Sequence, residues 1–223
     1  MEDPVTRLKR LDCCAVSDAL DKLGLKGRVV SGLRAESVPA KIAGKVVTYR
    51  LVPFDEARTQ EGLPKHLGTT AIELAAPGDV IVVEQRTGID AGSWGGILSL
   101  AAKLRGIAGV VADGPVRDID EARNYKFPIY CRSLTAKTAR GRVVEAEVNG
   151  AVTIGDLVVN ADDYVLADSS GVAFIPRSEI DPVLFAAEMI AGREAAMAKA
   201  LLDGSKVTGV MGANYEHMLR KDG

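Results

Sequence analysis

The stretch from residue 79 to residue 118, DVIVVEQRTGIDAGSWGGILSLAAKLRGIAGVVADGPVRD, decides the fold class of this chain. It opens on a continuous run of apolar, mostly β-branched residues at 79–84, which is typical of a strand buried on both faces. A glycine-rich loop follows, and the apolar stripe over 97–105 then predicts a helix that ends at Gly106. A second β-branched run at 108–113 predicts the next buried strand.

The same alternation continues past this stretch. Residues 118–126 predict a short helix and residues 127–133 a third strand, which gives a β-α-β-α-β segment. Crossovers of this kind are right-handed and join parallel strands, so the ends of the first two strands should reach one edge of the sheet. Ligands bind at such edges in open α/β sheets. We therefore expect the loop at 92–96 and the pair Arg117 and Asp118 to face one crevice.

The rest of the chain adds flanking helices and a second β-rich region. An amphipathic pattern predicts an N-terminal helix over 13–24. Short strands divided by turns are expected between residues 143 and 176, and Asn149-Gly150 is typical of a hairpin turn. A long C-terminal helix is expected over about 178–203, with a role in oligomer contacts.

Composition favours one α/β domain over residues 1–223 that binds a small molecule. Lys and Arg total 28 against 30 Asp and Glu, which gives no electrostatic reason to expect a nucleic acid or an anionic membrane as partner. No segment has the ~20 apolar residues of a membrane span, and the N-terminus lacks a signal-peptide pattern. We therefore expect a cytoplasmic protein. Its three cysteines match neither a disulfide framework nor a zinc pattern.

Two groups of residues could do chemistry in the expected crevice. Gly95 and Gly96 precede a helix, so the amides of residues 96–98 are unsatisfied donors that attract a carboxylate or phosphate, and a ligand can approach the glycines closely. Arg117 offers a planar fork for a carboxylate or enolate oxygen, and Asp118 is an oxygen ligand suited to Mg²⁺ or Mn²⁺. This combination predicts a site that stabilises the enolate of an α-keto acid.

Simpler interpretations stand beside this one. Arg117 and Asp118 could form a solvated turn in which Asp118 caps the following helix. A dinucleotide site is disfavoured, because the loop lacks G-x-G-x-x-G and places Trp94 where a pyrophosphate needs close backbone access. Trp94 could line the substrate mouth or pack against the sheet edge. His66 and His217 have no partner at metal-ligand spacing, and we treat both as non-catalytic.

Three segments carry a family resemblance: WGGILSLAAKLRGIAGVVADGPVRDIDE, VSDALDKLG and GDLVVNADDYVLADSSGVAFIP. Over residues 12–176 the chain resembles the RraA-like family, which includes the class II 4-hydroxy-4-methyl-2-oxoglutarate/4-carboxy-4-hydroxy-2-oxoadipate aldolases. The resemblance implies a swivelling β/β/α-type fold, a homotrimer or homohexamer, and divalent-metal-dependent pyruvate aldolase activity with oxaloacetate decarboxylation. It further implies a role for each site residue. Arg117 stabilises the enolate and Asp118 binds the metal. The substrate-binding loop consists of Gly95, Gly96, Ile97 and Leu98.

The chain departs from these aldolases at Gly96, where they carry an acidic residue that positions metal-bound water. Retro-aldol cleavage must remove a hydroxyl proton and decarboxylation does not, so the loss should harm aldol cleavage more. Restoring the acid with Gly96→Asp is expected to raise aldol cleavage relative to decarboxylation. The missing acid could also come from elsewhere: Asp90, Glu84, Asp113 or a residue of a neighbouring subunit. The family includes regulators that bind a ribonuclease, so a non-catalytic regulator of ribonuclease activity is the alternative function.

Overall fold

The structure, a computed structural model, describes residues 2–57 and 66–212. Its helices are α1 (Pro4–Leu8), α2 (Cys13–Lys22), α3 (Phe54–Ala57), α4 (Thr69–Leu74), α5 (Gly96–Leu104), α6 (Ile119–Asn124), α7 (Ile180–Leu202) and α8 (Val207–Val210). Its strands are β1 (Val29–Val30), β2 (Arg34–Ala35), β3 (Ile42–Pro53), β4 (Val80–Glu84), β5 (Gly109–Val116), β6 (Ile129–Leu134), β7 (Val143–Val148), β8 (Val152–Ile154), β9 (Leu157–Val159), β10 (Tyr164–Asp168) and β11 (Gly171–Ile175).

Most of these strands belong to one mixed sheet. Its order is β1-β11-β10-β3-β4-β5-β6-β2, with β7 paired to β3 beside this path, while β8 and β9 form a separate two-stranded sheet. Strands β3, β4, β5 and β6 run parallel, which confirms the predicted β-α-β-α-β segment. The registers place Glu84 opposite Asp113, so β4 and β5 reach the same edge together. Residues Val80 to Val83 are fully buried because the β-branched run has protein on both faces.

The long strand β3 joins the parallel half of the sheet to an antiparallel half. Its first residues pair with β10, and its later residues pair with β4 on one side and β7 on the other. Helices α2 and α7 pack on the antiparallel half, where Leu20, Leu166 and Leu184 belong to one apolar cluster. The predicted α/β class and C-terminal helix are therefore confirmed. Within residues 2–57 and 66–212, every helix is too short or too polar to cross a membrane.

The predicted hairpin at Asn149-Gly150 is wrong. Strand β7, which precedes this turn, pairs with β3, and β8, which follows it, pairs with β9. The turn is held by β3 instead, since the Asn149 amide donates to the Thr48 carbonyl at 2.9 Å and the Thr48 hydroxyl donates to the Gly150 carbonyl at 2.6 Å. The hairpin turn lies at Gly155, which has a φ of 59° and joins β8 to β9.

Candidate active site

A cavity of about 400 Å³ opens where β4 and β5 end. The glycine loop, the start of α5, the turn between β5 and α6, and the segment before β7 form its walls. All of the site residues expected from the sequence line this one cavity: Gly95, Gly96, Ile97, Leu98, Arg117 and Asp118. The crevice expected from parallel-strand geometry is therefore present.

Asp118 directs its carboxylate towards α5 and away from its own helix. It is the residue that precedes α6, yet its side chain makes no capping hydrogen bond there. Its Oδ2 accepts from the Gly96 amide at 3.2 Å, and its Oδ1 accepts from Arg117 Nε at 3.1 Å. The backbone is left-handed, with φ 55° and ψ 38°, a conformation that is uncommon for a residue with a side chain. The helix-cap interpretation is wrong.

Arg117 packs its aliphatic stem on the glycine loop. Its amide donates to the Trp94 carbonyl at 3.0 Å. A Cβ atom added to Gly92 would lie 2.8 Å from Arg117 Cγ, and one added to Gly95 would lie 3.0 Å from Asp118 Oδ2. The space left by the missing side chains is therefore filled by the site's own residues, whereas the sequence predicts close approach of a ligand there.

Glu121 is an acid beside Gly96 that sequence reasoning missed, although it does not itself line the cavity. A Cβ atom added to Gly96 would overlap its carboxyl group, with Glu121 Cδ at 2.5 Å. The carboxylate thus occupies the place where a side chain at position 96 would begin. The available signal was the position of Glu121 in the first turn of α6, three residues after Asp118.

The three acids suggested by the sequence as substitutes for the missing one lie elsewhere. Glu84 accepts from the Thr153 amide at 2.6 Å, and Asp113 pairs with Arg132 at 2.6 Å. Asp90 pairs with Lys137 at 2.9 Å on the outside of the loop. None of these three acids lines the cavity.

The start of α5 leaves two backbone donors open. The sequence predicts three, at residues 96–98, but the Gly96 amide is taken by Asp118. The amides of Ile97 and Leu98 find no acceptor in the part of the chain that the structure describes. Since the positive end of a helix dipole adds to these donors, an anion is favoured there.

Buried hydrogen bonds hold the glycine loop in place. The Tyr49 hydroxyl donates to the Ser93 carbonyl at 2.5 Å, and the Ser93 amide donates to the Pro115 carbonyl at 2.8 Å. Tyr49 is fully buried, and this burial raises the pKa of its phenol well above the ordinary value. The phenol therefore stays protonated and remains a donor to the loop.

Trp94 packs against the sheet edge and also forms part of the cavity wall. It is 1% exposed and stacks on Phe127 with ring centroids 6.4 Å apart. Its Nε1–H donates to the Ser99 hydroxyl at 2.9 Å, and that hydroxyl donates to the Gly95 carbonyl at 2.9 Å. The indole thereby fixes the first turn of α5 next to the open amides.

The cavity is also lined by residues that the sequence did not single out for the site. They include Arg140, Glu145 and His66. Glu145 Oε2 accepts from the Gly68 amide at 2.6 Å, and His66 Nδ1 lies 3.1 Å from the Leu67 carbonyl oxygen. His217 lies outside the described residues.

The carboxylates of the site fit only a loosely held cation. Within residues 2–57 and 66–212 there is no group of three or more His, Cys, Asp or Glu side chains that could enclose a metal. Asp118 and Glu121 both lie beside Gly96. Mg²⁺ commonly takes one or two protein carboxylates and completes its shell with water and substrate, whereas a structural zinc site needs four protein ligands. The donor set therefore fits Mg²⁺ or Mn²⁺ and does not fit a closed zinc centre.

Comparison with known proteins shows which family this chain resembles. Residues 13–174 match the family model described as RraA-like: Aldolase/RraA. A Halalkalibacterium halodurans protein named "putative 4-hydroxy-4-methyl-2-oxoglutarate aldolase" is 26% identical over 201 residues, which are 90% of each chain. Protein DlpA of Legionella pneumophila is 28% identical over 205 residues, 92% of this chain and 32% of DlpA. This chain thus spans about a third of the length of DlpA.

A solved structure agrees with the sequence comparison. RraAS2 of Streptomyces coelicolor, described as an unusual member of the RNase ES inhibitor RraA protein family, superposes with a TM-score of 0.77. The two proteins are 26% identical, and the match covers 86% of this chain and 93% of RraAS2. Since the family model also covers most of the sequence, the chain belongs to the RraA-like family.

Proposed function

We propose that this protein is a divalent-metal-dependent carbon–carbon lyase. It would release pyruvate from a 4-hydroxy-2-oxo acid by retro-aldol cleavage, decarboxylate oxaloacetate, or do both through one enolate. The observation that carries this proposal is the convergence of Arg117, Asp118 and the open amides of α5 on one cavity. The aldolase names of similar proteins support the same reaction class.

Binding of the keto acid follows from the donors of the site. The carboxylate at C1 fits the amides of Ile97 and Leu98, which need an acceptor at the positive end of α5. The keto oxygen then lies towards Arg117, whose Nε is taken by Asp118 and whose two terminal nitrogens remain for the substrate. Fixed donors of this kind stabilise charge that develops on the oxygen during the reaction.

Both reactions leave the same enolate. In retro-aldol cleavage the C4 hydroxyl gives up its proton to the carboxylate or water beside Gly96, and C4 becomes the carbonyl carbon of the second product. The electron pair of the broken C3–C4 bond forms the enolate of pyruvate. In oxaloacetate the C3–C4 bond breaks with loss of CO₂, and no hydroxyl proton is involved. Protonation at C3 completes either reaction. Asp118 and Glu121 would hold the divalent cation, which would supply Lewis-acid stabilisation of the enolate. Glu121, whose carboxylate lies beside Gly96, would position the hydroxyl group or a water there.

The proposal predicts that Arg117 and Asp118 are required for enolate formation. Arg117→Ala and Asp118→Ala should each lower pyruvate release from oxaloacetate by about 100-fold or more, because each removes stabilisation of the developing charge. The wild-type rate should also fall on addition of EDTA and return with Mg²⁺ or Mn²⁺. Pyruvate is followed with a coupled dehydrogenase assay.

A second ion pair, on the helix α6 that follows Asp118, provides the matched control. Arg123 and Asp120 are 2.7 Å apart, and neither lines the cavity. Arg123→Ala and Asp120→Ala should therefore retain the wild-type rate within about threefold. Equal rates in all five proteins, corrected for the free metal's own reaction, would contradict the enzymatic proposal.

A regulator of ribonuclease activity is the second candidate function. It is favoured by the likeness to RraAS2, whose description places it among inhibitors of a ribonuclease. Such a function depends on a protein-binding surface and has no need for the Arg117 and Asp118 pair. Inhibition of a ribonuclease that survives both alanine substitutions, together with no pyruvate release by the wild type, would favour this candidate.

A further inference from the structure

Among the described residues that line the cavity, His66 carries the only imidazole. Imidazole is the side chain that most often transfers protons in enzymes near neutral pH. The other ionisable groups of the lining are less suited to this task. Arg117 and Arg140 are guanidinium groups, which do not release protons in proteins. Asp118 is paired with Arg117, and Glu145 accepts from a backbone amide at 2.6 Å.

The sequence predicts a non-catalytic His66, because no partner lies at metal-ligand spacing. A proton donor needs no such partner, but it needs a defined tautomer. His66 Nδ1 lies 3.1 Å from the Leu67 carbonyl oxygen, an acceptor that favours a hydrogen on Nδ1. Nε2 is then the atom that gains and loses a proton. Since the side chain is exposed, water can restore this proton after each turnover.

Packing places the segment of His66 over the first turn of α5. A Cβ atom added to Gly68 would lie 3.3 Å from Leu98 Cδ1 and 3.4 Å from Trp94 Cζ3, so Gly68 sits against both side chains. Two residues of chain span at most roughly 7 Å, which keeps His66 near the same turn. The Thr69 hydroxyl fixes the backbone there by donating to the His66 carbonyl at 2.7 Å. The imidazole therefore borders the cavity next to the proposed binding site of the C1 carboxylate.

The last step of the proposed reaction still needs a proton donor at C3. This carbon is two bonds from C1, and C1 is held by the amides at the start of α5, beside the segment of His66. The keto oxygen on C2 lies towards Arg117, which leaves C3 to another group of the cavity. An imidazole at this position is suited to protonate the enolate carbon.

We propose that His66 is the general acid that protonates C3 of the enolate. The proton on Nε2 transfers to C3, the electron pair of the enolate C2–C3 double bond forms the new C–H bond, and the C2–O bond returns to a carbonyl. The neutral imidazole then regains a proton from solvent. His66 takes no part in breaking the C3–C4 bond. This inference rests on the proposed lyase function, because it assigns one step of that reaction.

Hydrogen exchange at C3 of pyruvate isolates this step. The reverse of C3 protonation removes a methyl proton, so wild type with Mg²⁺ should exchange these protons in heavy water, as followed by NMR. His66→Gln keeps a polar side chain that cannot carry the proton, and it should lower the exchange rate by about 100-fold or more. Loss of oxaloacetate in a single turnover, with enzyme in excess, should change less than about threefold, because C3–C4 cleavage precedes protonation.

An exposed acid near the same segment provides the matched control. Glu73 lies on α4 and does not line the cavity, so Glu73→Gln should keep both rates within about threefold of wild type. His66→Ala should lose the exchange as His66→Gln does and regain at least about 10-fold of it when free imidazole is added. A merely structural role of His66 would not respond to imidazole.

The outcomes separate this inference from the lyase function. If wild type neither exchanges pyruvate nor consumes oxaloacetate, the lyase function fails and the role of His66 fails with it. If wild type does both, wild-type exchange in His66→Gln would overturn the role of His66 alone. Equal losses of exchange and of single-turnover cleavage in that variant would overturn it as well.

Discussion

At the scale of single residues, the glycine loop and the turn after β5 are complementary surfaces. Three glycines of the loop each leave room for a side-chain atom of the turn after β5 or of the first turn of α6. Placing a Cβ on any of them would bring it within 3.0 Å of a side chain that we assign to the site, and the pairs are Gly92 with Arg117, Gly95 with Asp118, and Gly96 with Glu121. The glycines therefore make room for the side chains of the candidate site.

Substitution of Glu121 is predicted to lower the rate of retro-aldol cleavage more than the rate of oxaloacetate decarboxylation. Glu121→Gln should lower cleavage of a 4-hydroxy-2-oxo acid by at least about 10-fold and alter oxaloacetate decarboxylation less than about threefold, because only the first reaction removes a hydroxyl proton. Asp120→Asn changes the neighbouring acid, which pairs with Arg123, and should leave the ratio of the two rates unchanged. An unchanged ratio in Glu121→Gln would remove Glu121 from the proposed mechanism.

The structure also alters what is expected of Gly96→Asp. The sequence predicts that this change raises the rate of aldol cleavage. In the structure, however, an aspartate side chain at position 96 has no space unless Glu121 moves. We now expect Gly96→Asp alone to lower the aldol rate. Combined with Glu121→Ala, it should recover a substantial part of the wild-type ratio, as measured with the same two substrates.

At the scale of elements, α7 shows how far one amphipathic pattern determines structure. The sequence predicts a helix over about 178–203, and α7 spans Ile180–Leu202 after a short 3₁₀ turn. Its buried residues end at Ile190, and Phe185 and Leu202 are among the exposed apolar side chains. The second half of α7 therefore depends on helix propensity more than on packing against the described residues.

Gly192 lies in this exposed half and is predicted to weaken α7. A Cβ atom added there would meet nothing within 4 Å, so Gly192→Ala should raise the free energy of unfolding by about 0.5–1 kcal/mol. Gly204, just beyond the helix, has a φ of 90°, and Gly204→Ala should lower that free energy instead. Denaturant titration of both variants measures the two effects. A destabilised Gly192→Ala protein would mean that this face is covered in solution.

At the scale of the whole molecule, one buried carboxylate joins several parts of the fold. Asp113 is 5% exposed; its Oδ1 accepts from Arg132 Nε at 2.6 Å and its Oδ2 from the Gly155 amide at 2.6 Å. Arg132 also donates to the Ser31 carbonyl at 2.7 Å. These bonds connect β5 and β6 of the main sheet to the β8–β9 hairpin and to the segment after β1.

Arg132→Met is predicted to destabilise the protein more than loss of an exposed ion pair does. It leaves the buried Asp113 with only its longer ion pair to Arg86, at 3.7 Å, and we expect the free energy of unfolding to fall by about 2–3 kcal/mol, less than for a fully buried pair because Arg132 is partly exposed. Arg50→Met removes the exposed pair with Glu147 and should cost less than about 1 kcal/mol. Similar losses in the two variants, measured by denaturant unfolding, would contradict a structural role for Asp113.

The homotrimer or homohexamer implied by the family resemblance stays a prediction. Several large apolar side chains are exposed on α5 and α7, and they give such an assembly a surface to bury: Ile97, Leu104, Phe185 and Leu202. Burial of apolar area on this scale is a favourable term in protein association.

The sequence by itself determined the strands, the crossovers and the edge at which the site lies. β-branched runs form strands buried on both faces, and right-handed crossovers bring the ends of β4 and β5 together, so the crevice at Gly96 and Arg117 follows from local pattern and chirality. Adjacent residues also remain adjacent in space. This is why Arg117 and Asp118 could be named together.

Only the tertiary structure decided which distant side chains meet. The hairpin predicted at Asn149 is wrong because β7 pairs with β3 and not with the strand that follows the turn. Glu121 was found through the space above Gly96, and His66 through the cavity that it lines together with Arg117. Such contacts depend on the packing of segments about 20 residues or more apart, and the free energy of that packing is a property of the folded whole that no local window of sequence contains.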